Sequence, residues 1–247
     1  MNFRVVLVTG GGRGIGRAIS LRFAEAGCKV FVNFFVNREA AEDTAAEIVR
    51  LGGTAELVQA DLKDPNQIRG MFDQIKRVAG RLDVLVNNAA SGVLKGALDL
   101  SPKHWDWMFN TNVRPLLLCA QGAASLMSRG GRIISISSLG AQRVVPNYAG
   151  IGVSKAALEA LTRYLAVDLA DRGITVNAVS AGVIETGVWR AFPEAAAVLP
   201  AVRSRTPGER LVVAEELAEV VFFLASAAAQ PIQGQVIVVD GGYSLIA

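Results

Sequence analysis

The segment Thr9-Gly10-Gly11-Gly12-Arg13-Gly14-Ile15-Gly16 follows a short apolar run and opens a run with helical periodicity. Glycines at 10, 14 and 16 let a backbone turn sharply and come close to a ligand, and the free amides of a helix start attract a pyrophosphate. Gly12, Arg13 and Ile15 complete this candidate loop. The spacing is Gly-x3-Gly-x-Gly, and a plain tight turn is the alternative. The second apolar run ends in Asn33-Phe34-Phe35-Val36-Asn37-Arg38, with no carboxylate before Glu39. A carboxylate there would hold a ribose diol and repel a 2′-phosphate. Its absence, with Arg13 and Arg38 nearby, favours NADPH over NADH, with Asn33 as a further contact. Asp61-Leu62 ends the third run and is placed to meet an adenine; a turn ahead of Asp64-Pro65 is the alternative. The fourth run ends in Asn87-Asn88-Ala89-Ala90, where small and amide residues let a cofactor lie against the backbone.

Strand and helix patterns alternate through all 247 residues. Continuous apolar strands are expected at Val5–Val8, Lys29–Asn33, Ala55–Gln59, Asp83–Asn87, Arg132–Ser137, Ile174–Val179 and Gln235–Val239. Helices are expected at Ile15–Ala26, Glu39–Leu51, Pro65–Ala79, Pro102–Met127, Tyr148–Ala170 and Ala214–Ser226. Such strands imply a parallel sheet covered on both faces: an α/β, doubly wound, Rossmann-like seven-stranded sheet in one domain over 1–247. The stretch Gly187–Arg210 breaks the rhythm after the sixth strand, where a substrate-covering insertion would sit. Apolar residues are 51% and charged residues 19% of the chain, enough to bury a large core. The apolar runs are too short to span a bilayer, and the first residues lack a signal-peptide layout, so a cytoplasmic protein is expected. Net charge is +3 with basic residues scattered, which makes nucleic acid a poor partner. One histidine excludes a His-rich metal site, and two cysteines build no disulfide framework.

Taken together the motifs resemble the short-chain dehydrogenase/reductase family over nearly the whole chain. The likeness rests on the glycine loop, Asn87-Asn88-Ala89, Asn112, Ser138, Lys155, Ala181-Gly182-Val183-Ile184-Glu185-Thr186 and Val239-Asp240-Gly241-Gly242. It implies a nicotinamide cofactor contacted by Asn88, Ile184 and Thr186, a ribose held by Lys155, and a homotetramer or homodimer. Ala181 stands where the family often has proline.

A second departure bears on the reaction. The family usually places tyrosine four residues before the lysine, and that residue here is Ile151. The nearby tyrosine is Tyr148, seven residues before Lys155. Two helical turns would set both side chains on one face, roughly 10 Å apart along the axis. A core tyrosine is the alternative. In carbonyl reduction, the carbon that takes hydride carries the oxygen that takes the proton. In an enoyl thioester the hydride goes to the β-carbon while charge builds on the remote thioester oxygen, so the phenol must reach a different place. Tyr-x6-Lys, with the stretches Val86–Leu94, His104–Trp107, Ser135–Gly140 and Gly152–Val167, resembles NADPH-dependent enoyl-acyl-carrier-protein reductases of type III. That resemblance implies reduction of trans-2-enoyl thioesters, on acyl carrier protein or coenzyme A, in fatty-acid elongation. Tyr148 would hydrogen-bond the thioester oxygen, and Lys155 would hold the ribose and lower the tyrosine pKa. Ser138 would offer a second hydroxyl and Asn112 would anchor a water. Val188, Trp189, Phe192, Val198, Leu199 and Val202 offer an acyl-chain wall or a subunit contact. Arg203 and Arg205 would meet an acidic carrier or stay solvated. An NADPH-dependent reductase of 3-oxoacyl thioesters, steroids or other ketones, and a nucleotide-binding protein without turnover, remain as alternatives.

Overall fold

A computed structural model describes residues 4–184 and 195–246. The strands are β1 (Val5–Val8), β2 (Lys29–Phe34), β3 (Thr54–Gln59), β4 (Val84–Asn87), β5 (Arg132–Ser138), β6 (Thr175–Ala181) and β7 (Val236–Val239). The helices are α1 (Gly14–Glu25), α2 (Arg38–Arg50), α3 (Pro65–Ala79), α4 (Pro102–Asn112), α5 (Arg114–Leu126), α6 (Ala149–Asp168), α7 (Ala195–Arg205) and α8 (Ala214–Leu224). Every residue of β1, β4 and β6 is buried, as expected for strands with helices on both faces.

The seven strands pair in parallel in the order β3-β2-β1-β4-β5-β6-β7. Alternate residues of each strand feed two cores. Val6 and Val8 pack with Ile19 and Phe23 of α1, Ile48 of α2 and Leu217 of α8. Val5 and Leu7 pack with Met71 and Ile75 of α3, Leu116 of α5 and Leu158 of α6. Both β2 and β4 flank β1, so the winding direction reverses there. A doubly wound sheet opens its ligand crevice at such a point, above the carboxyl ends of the strands. The segments after β1 and β4 are the glycine loop and the Asn88-Ala89 stretch.

Two helices differ from expectation, one being α7, which falls in the Gly187–Arg210 stretch outside the expected helices. The pattern over Pro102–Met127 predicts a single helix, but the structure holds two, with Val113 at the junction. Pro115 lacks an N–H, and its ring would meet the carbonyl four residues earlier, so the helix restarts around it. The break makes Asn112 the last residue of α4. The other expected strand and helix ends fall within two residues of expectation. Among the described residues no helix is long and apolar enough to cross a membrane.

Candidate active site

The glycine loop forms a cradle that is open on one side and braced on the other. Gly10 and Gly14 have φ of +61° and +53°, backbone that side chains disfavour. A Cβ on Gly16 would stand 2.1 Å from the Gly10 carbonyl oxygen and 2.7 Å from Asn88 Nδ2. Arg13 precedes α1 in extended conformation, its side chain makes no cap, and no acid lies in the first turn. By contrast Asn37 and Asp64 cap α2 and α3. The first amides of α1 therefore remain available to an anion at the positive end of the helix dipole. A pyrophosphate fits these features, and with them the dinucleotide expected from the sequence.

Thr9 braces the cradle from behind. Its buried hydroxyl accepts from the backbone N–H of Asn88 at 2.9 Å and of Ala89 at 3.0 Å, and donates to Val86 O at 3.3 Å. The Asn88 amide in turn donates to Thr9 O at 2.8 Å. Thr9→Val keeps the shape and strips both amides of their acceptor. It is expected to cost about 2 kcal/mol in urea unfolding, since part-buried donors left unmade each carry a penalty.

Several expected cofactor contacts take other roles. The Asn33 amide points inward: Oδ1 accepts from Gly10 N at 3.3 Å and Nδ2 donates to Val58 O at 3.2 Å and Ala60 O at 3.3 Å. The residue fixes the loop instead of facing a ligand, because a buried amide must find partners within the sheet. Arg13 is exposed at the cradle. Arg38 is exposed beside the Phe34 ring and donates to Gln59 Oε1 at 2.9 Å. Asp61 makes the turn, with Oδ1 accepting from Lys63 N at 3.0 Å, and the Leu62 side chain lies in the core. Ile15 packs partly buried on α1. Ile184 is buried and bridges to Val212. Thr186 lies outside the described residues, as do Val188, Trp189 and Phe192. Val202 is buried, and the Arg205 guanidinium stands over the Tyr243 ring.

The expected proton donor lies beside the turn that follows β5. Tyr148 lies just ahead of α6 as its N-cap, with φ −108° and ψ 12°, rather than inside the helix. Its ring rests on Gly140, in the short 3-10 turn Leu139–Ala141 that follows β5. A Cβ there would fall 2.5 Å from Tyr148 Cδ1 and 3.4 Å from Ser138 Oγ. Burial raises the phenol above its ordinary pKa, and the Ser138 hydroxyl beside it draws it partly back. The phenol is thus protonated at neutral pH, the form that donates a hydrogen bond.

Lys155 is buried on α6, and its ammonium donates to Ile136 O at 2.6 Å. Burial lowers its pKa to about 8, and the nearby Glu159 carboxylate opposes that fall. The Ser138 hydroxyl is the neighbour that lowers the Tyr148 pKa, while the Lys155 ammonium is drawn to the β5 backbone. Asn112 uses its amide to accept from Ser91 N at 2.9 Å and to donate to Ser91 O at 3.0 Å and Ser154 Oγ at 2.9 Å. It ties the segment after β4 to α6. Ile151 fills the other tyrosine position and packs on Gly92, where a Cβ would meet Ile151 Cγ1 at 2.3 Å.

Thr9, Gly140 and Glu159 carry roles that sequence reasoning did not assign. Thr9 borders the glycine motif, and Glu159 is an acid one turn beyond Lys155; those positions were the available signals.

A family model described as enoyl-(acyl carrier protein) reductase matches residues 10–244. A 1-cyclohexenylcarbonyl-CoA reductase of Streptomyces collinus is 41% identical over 246 residues, covering 99% of this chain and 88% of the relative. A versicolorin reductase of Emericella nidulans is 38% identical over 256 residues, 97% of this chain and 95% of the relative. A solved short-chain dehydrogenase from Burkholderia cenocepacia in complex with NADP superposes with a TM-score of 0.91 at 37% identity over 98% of each chain.

Proposed function

The chain belongs to the short-chain dehydrogenase/reductase family, and from that premise we propose that it reduces the C2–C3 double bond of trans-2-enoyl thioesters with NADPH. The observation that carries this reading is the Tyr148 phenol on the Gly140 wall, seven residues before Lys155, with Ile151 packed away in the position usual for the family's tyrosine. The Streptomyces relative is named for a thioester whose double bond is conjugated to its carbonyl, which supports the same substrate class. The NADP held by the Burkholderia neighbour, and a β2 end without a carboxylate, support NADPH.

Gly10, Gly14, Gly16 and the first turn of α1 hold the pyrophosphate, and Lys155 holds the ribose. Bound NADPH supplies a hydride. As the β-carbon is reduced, negative charge develops on the thioester oxygen, and a proton delivered to the α-carbon from Tyr148 or solvent completes the saturated thioester. Tyr148 aims its O–H at that oxygen, and a preorganised donor of this kind lowers a barrier by about 3 kcal/mol. Ser138 donates a second hydrogen bond or orients the phenol. The wall of Gly140 keeps the ring in place, so no reorientation is needed when charge develops.

The Lys155 ammonium donates more strongly to the ribose hydroxyls than the neutral amine would, and its pKa is lowered to about 8. The sign follows: NADPH affinity is level below that pH and is lost above it as the ammonium gives up its proton. NADPH fluorescence titration is expected to show affinity falling about tenfold between pH 7 and 9.

Ser138 beside Tyr148 also suits reduction of a ketone, which is the second reading. Purified protein with NADPH, given crotonyl and acetoacetyl thioesters separately, distinguishes the two. Oxidation of NADPH by the crotonyl thioester is expected; oxidation by the acetoacetyl thioester alone overturns the first reading. The acyl group would arrive on coenzyme A or an acyl carrier protein. Leu117, Val153, Tyr164 and Val167 stand exposed on α5 and α6, an apolar face that a second copy would cover in a homodimer or homotetramer.

A further inference from the structure

We propose that Glu159 is a positioning residue for the reduction, clamping the wall that carries Ser138 and Tyr148. Its side chain lies on α6 one turn beyond Lys155 and is only 5% exposed. A carboxylate is seldom buried without strong partners, because removing it from water is costly. Here Oε1 accepts from the Ser137 hydroxyl at 2.6 Å, and Oε2 accepts from the Gln142 amide at 3.3 Å. Ser137 precedes Ser138 on β5. Gln142 closes the 3-10 turn, its backbone N–H donating to Leu139 O at 3.0 Å. One carboxylate therefore fixes both ends of the segment that holds Ser138 and Gly140. Lys155 grips the residue before it, through Ile136 O.

The charge has a second consequence. The groups of β5 and the 3-10 turn that face this pair are neutral: Ile136 O, the Ser137 hydroxyl and the Gln142 amide. Tyr148 is neutral, and Arg143 sends its guanidinium to Ser244 O at 3.3 Å. Glu159 is the charged group that favours the ammonium form of Lys155 against its burial. A simple fastener between sheet and helix would supply the hydrogen bonds and leave the titration of Lys155 alone.

The proposal rests on the functional reading in placing Lys155 at the cofactor and Tyr148 at the substrate, and the affinity arm of its test needs no acyl substrate. NADPH affinity is measured against pH by fluorescence for the wild-type protein, Glu159→Gln and Glu159→Asp. Glu159→Gln keeps the size and an acceptor oxygen while removing the charge. Its loss of affinity is expected about one pH unit lower than in the wild type. Glu159→Asp is expected to return it toward the wild-type position. An unmoved break in Glu159→Gln overturns the electrostatic part. Gln142→Ala keeps the carboxylate, loosens one arm of the clamp, and guards against a Glu159→Gln protein that does not fold. Its pH break is expected to stay put while kcat falls severalfold on whichever thioester or ketone the wild type reduces, with KM little changed. An unchanged kcat overturns the clamp. Failure of the wild type to reduce crotonyl thioester would reject the substrate assignment and leave this result standing.

Discussion

Tyr148→Phe is expected to bind NADPH as the wild type does and to lose 99% or more of its turnover. The ring packs on Gly140 through its Cδ1 and Cε1 edge, and phenylalanine keeps that edge. The substitution removes the hydroxyl, and with it the donor proposed for the oxygen where charge develops. Loss of one such donor costs on the order of 100- to 1000-fold in turnover. Acid assistance carries a similar magnitude. Steady-state kinetics beside an NADPH fluorescence titration check the two halves separately. Unchanged turnover would reject Tyr148 as the donor, and lost NADPH binding would show that the ring supports the cradle instead.

Gly16→Ala is expected to weaken NADPH binding by about 100-fold or more. The added methyl would fall 2.1 Å from Gly10 O and 2.7 Å from Asn88 Nδ2. The first neighbour is backbone and cannot swing aside. Asn88 is held by Thr9 O at 2.8 Å, so it does not yield without loosening the end of β4. The loop must shift, and displacements of an ångström at a site of this kind cost about that much. Overpacking should also lower stability by about 1–3 kcal/mol. Isothermal titration with NADPH on protein shown to be folded by circular dichroism reads the effect. Wild-type affinity would mean that the cradle is not where the pyrophosphate lies.

The sheet was legible because its central strands, such as β1 and β4, are short apolar runs, and a run buried on both faces needs no alternating pattern to betray it. The junction at Val113 was harder to see. Apolar residues keep helical spacing across Arg114-Pro115, so periodicity alone carried the helix through a residue that cannot donate its N–H. The glycine loop was legible because positive φ and close approach leave few residue types to choose from. Asn33 was misread because composition does not tell which way an amide turns. Its burial on β2, between the glycine loop and the end of β3, decided that, and the register of Asn33 beside Val58 was not visible in the chain. Tyr148 was found by spacing, yet its place as a cap of α6 depends on the turn after β5. Glu159 was passed over for a general reason: an acid on a helix ordinarily faces water. Only the fold shows it turned toward Ser137.

The most direct test of whether hydride reaches an enoyl group is product analysis after reaction of crotonyl thioester with NADPH deuterated at its transferable position. One deuterium at C3 of a butyryl thioester is the expected product, and it should vanish with Tyr148→Phe. Recovery of crotonyl thioester unreduced, while acetoacetyl thioester becomes deuterated 3-hydroxybutyryl thioester under the same conditions, would contradict enoyl reduction and make the protein a carbonyl reductase.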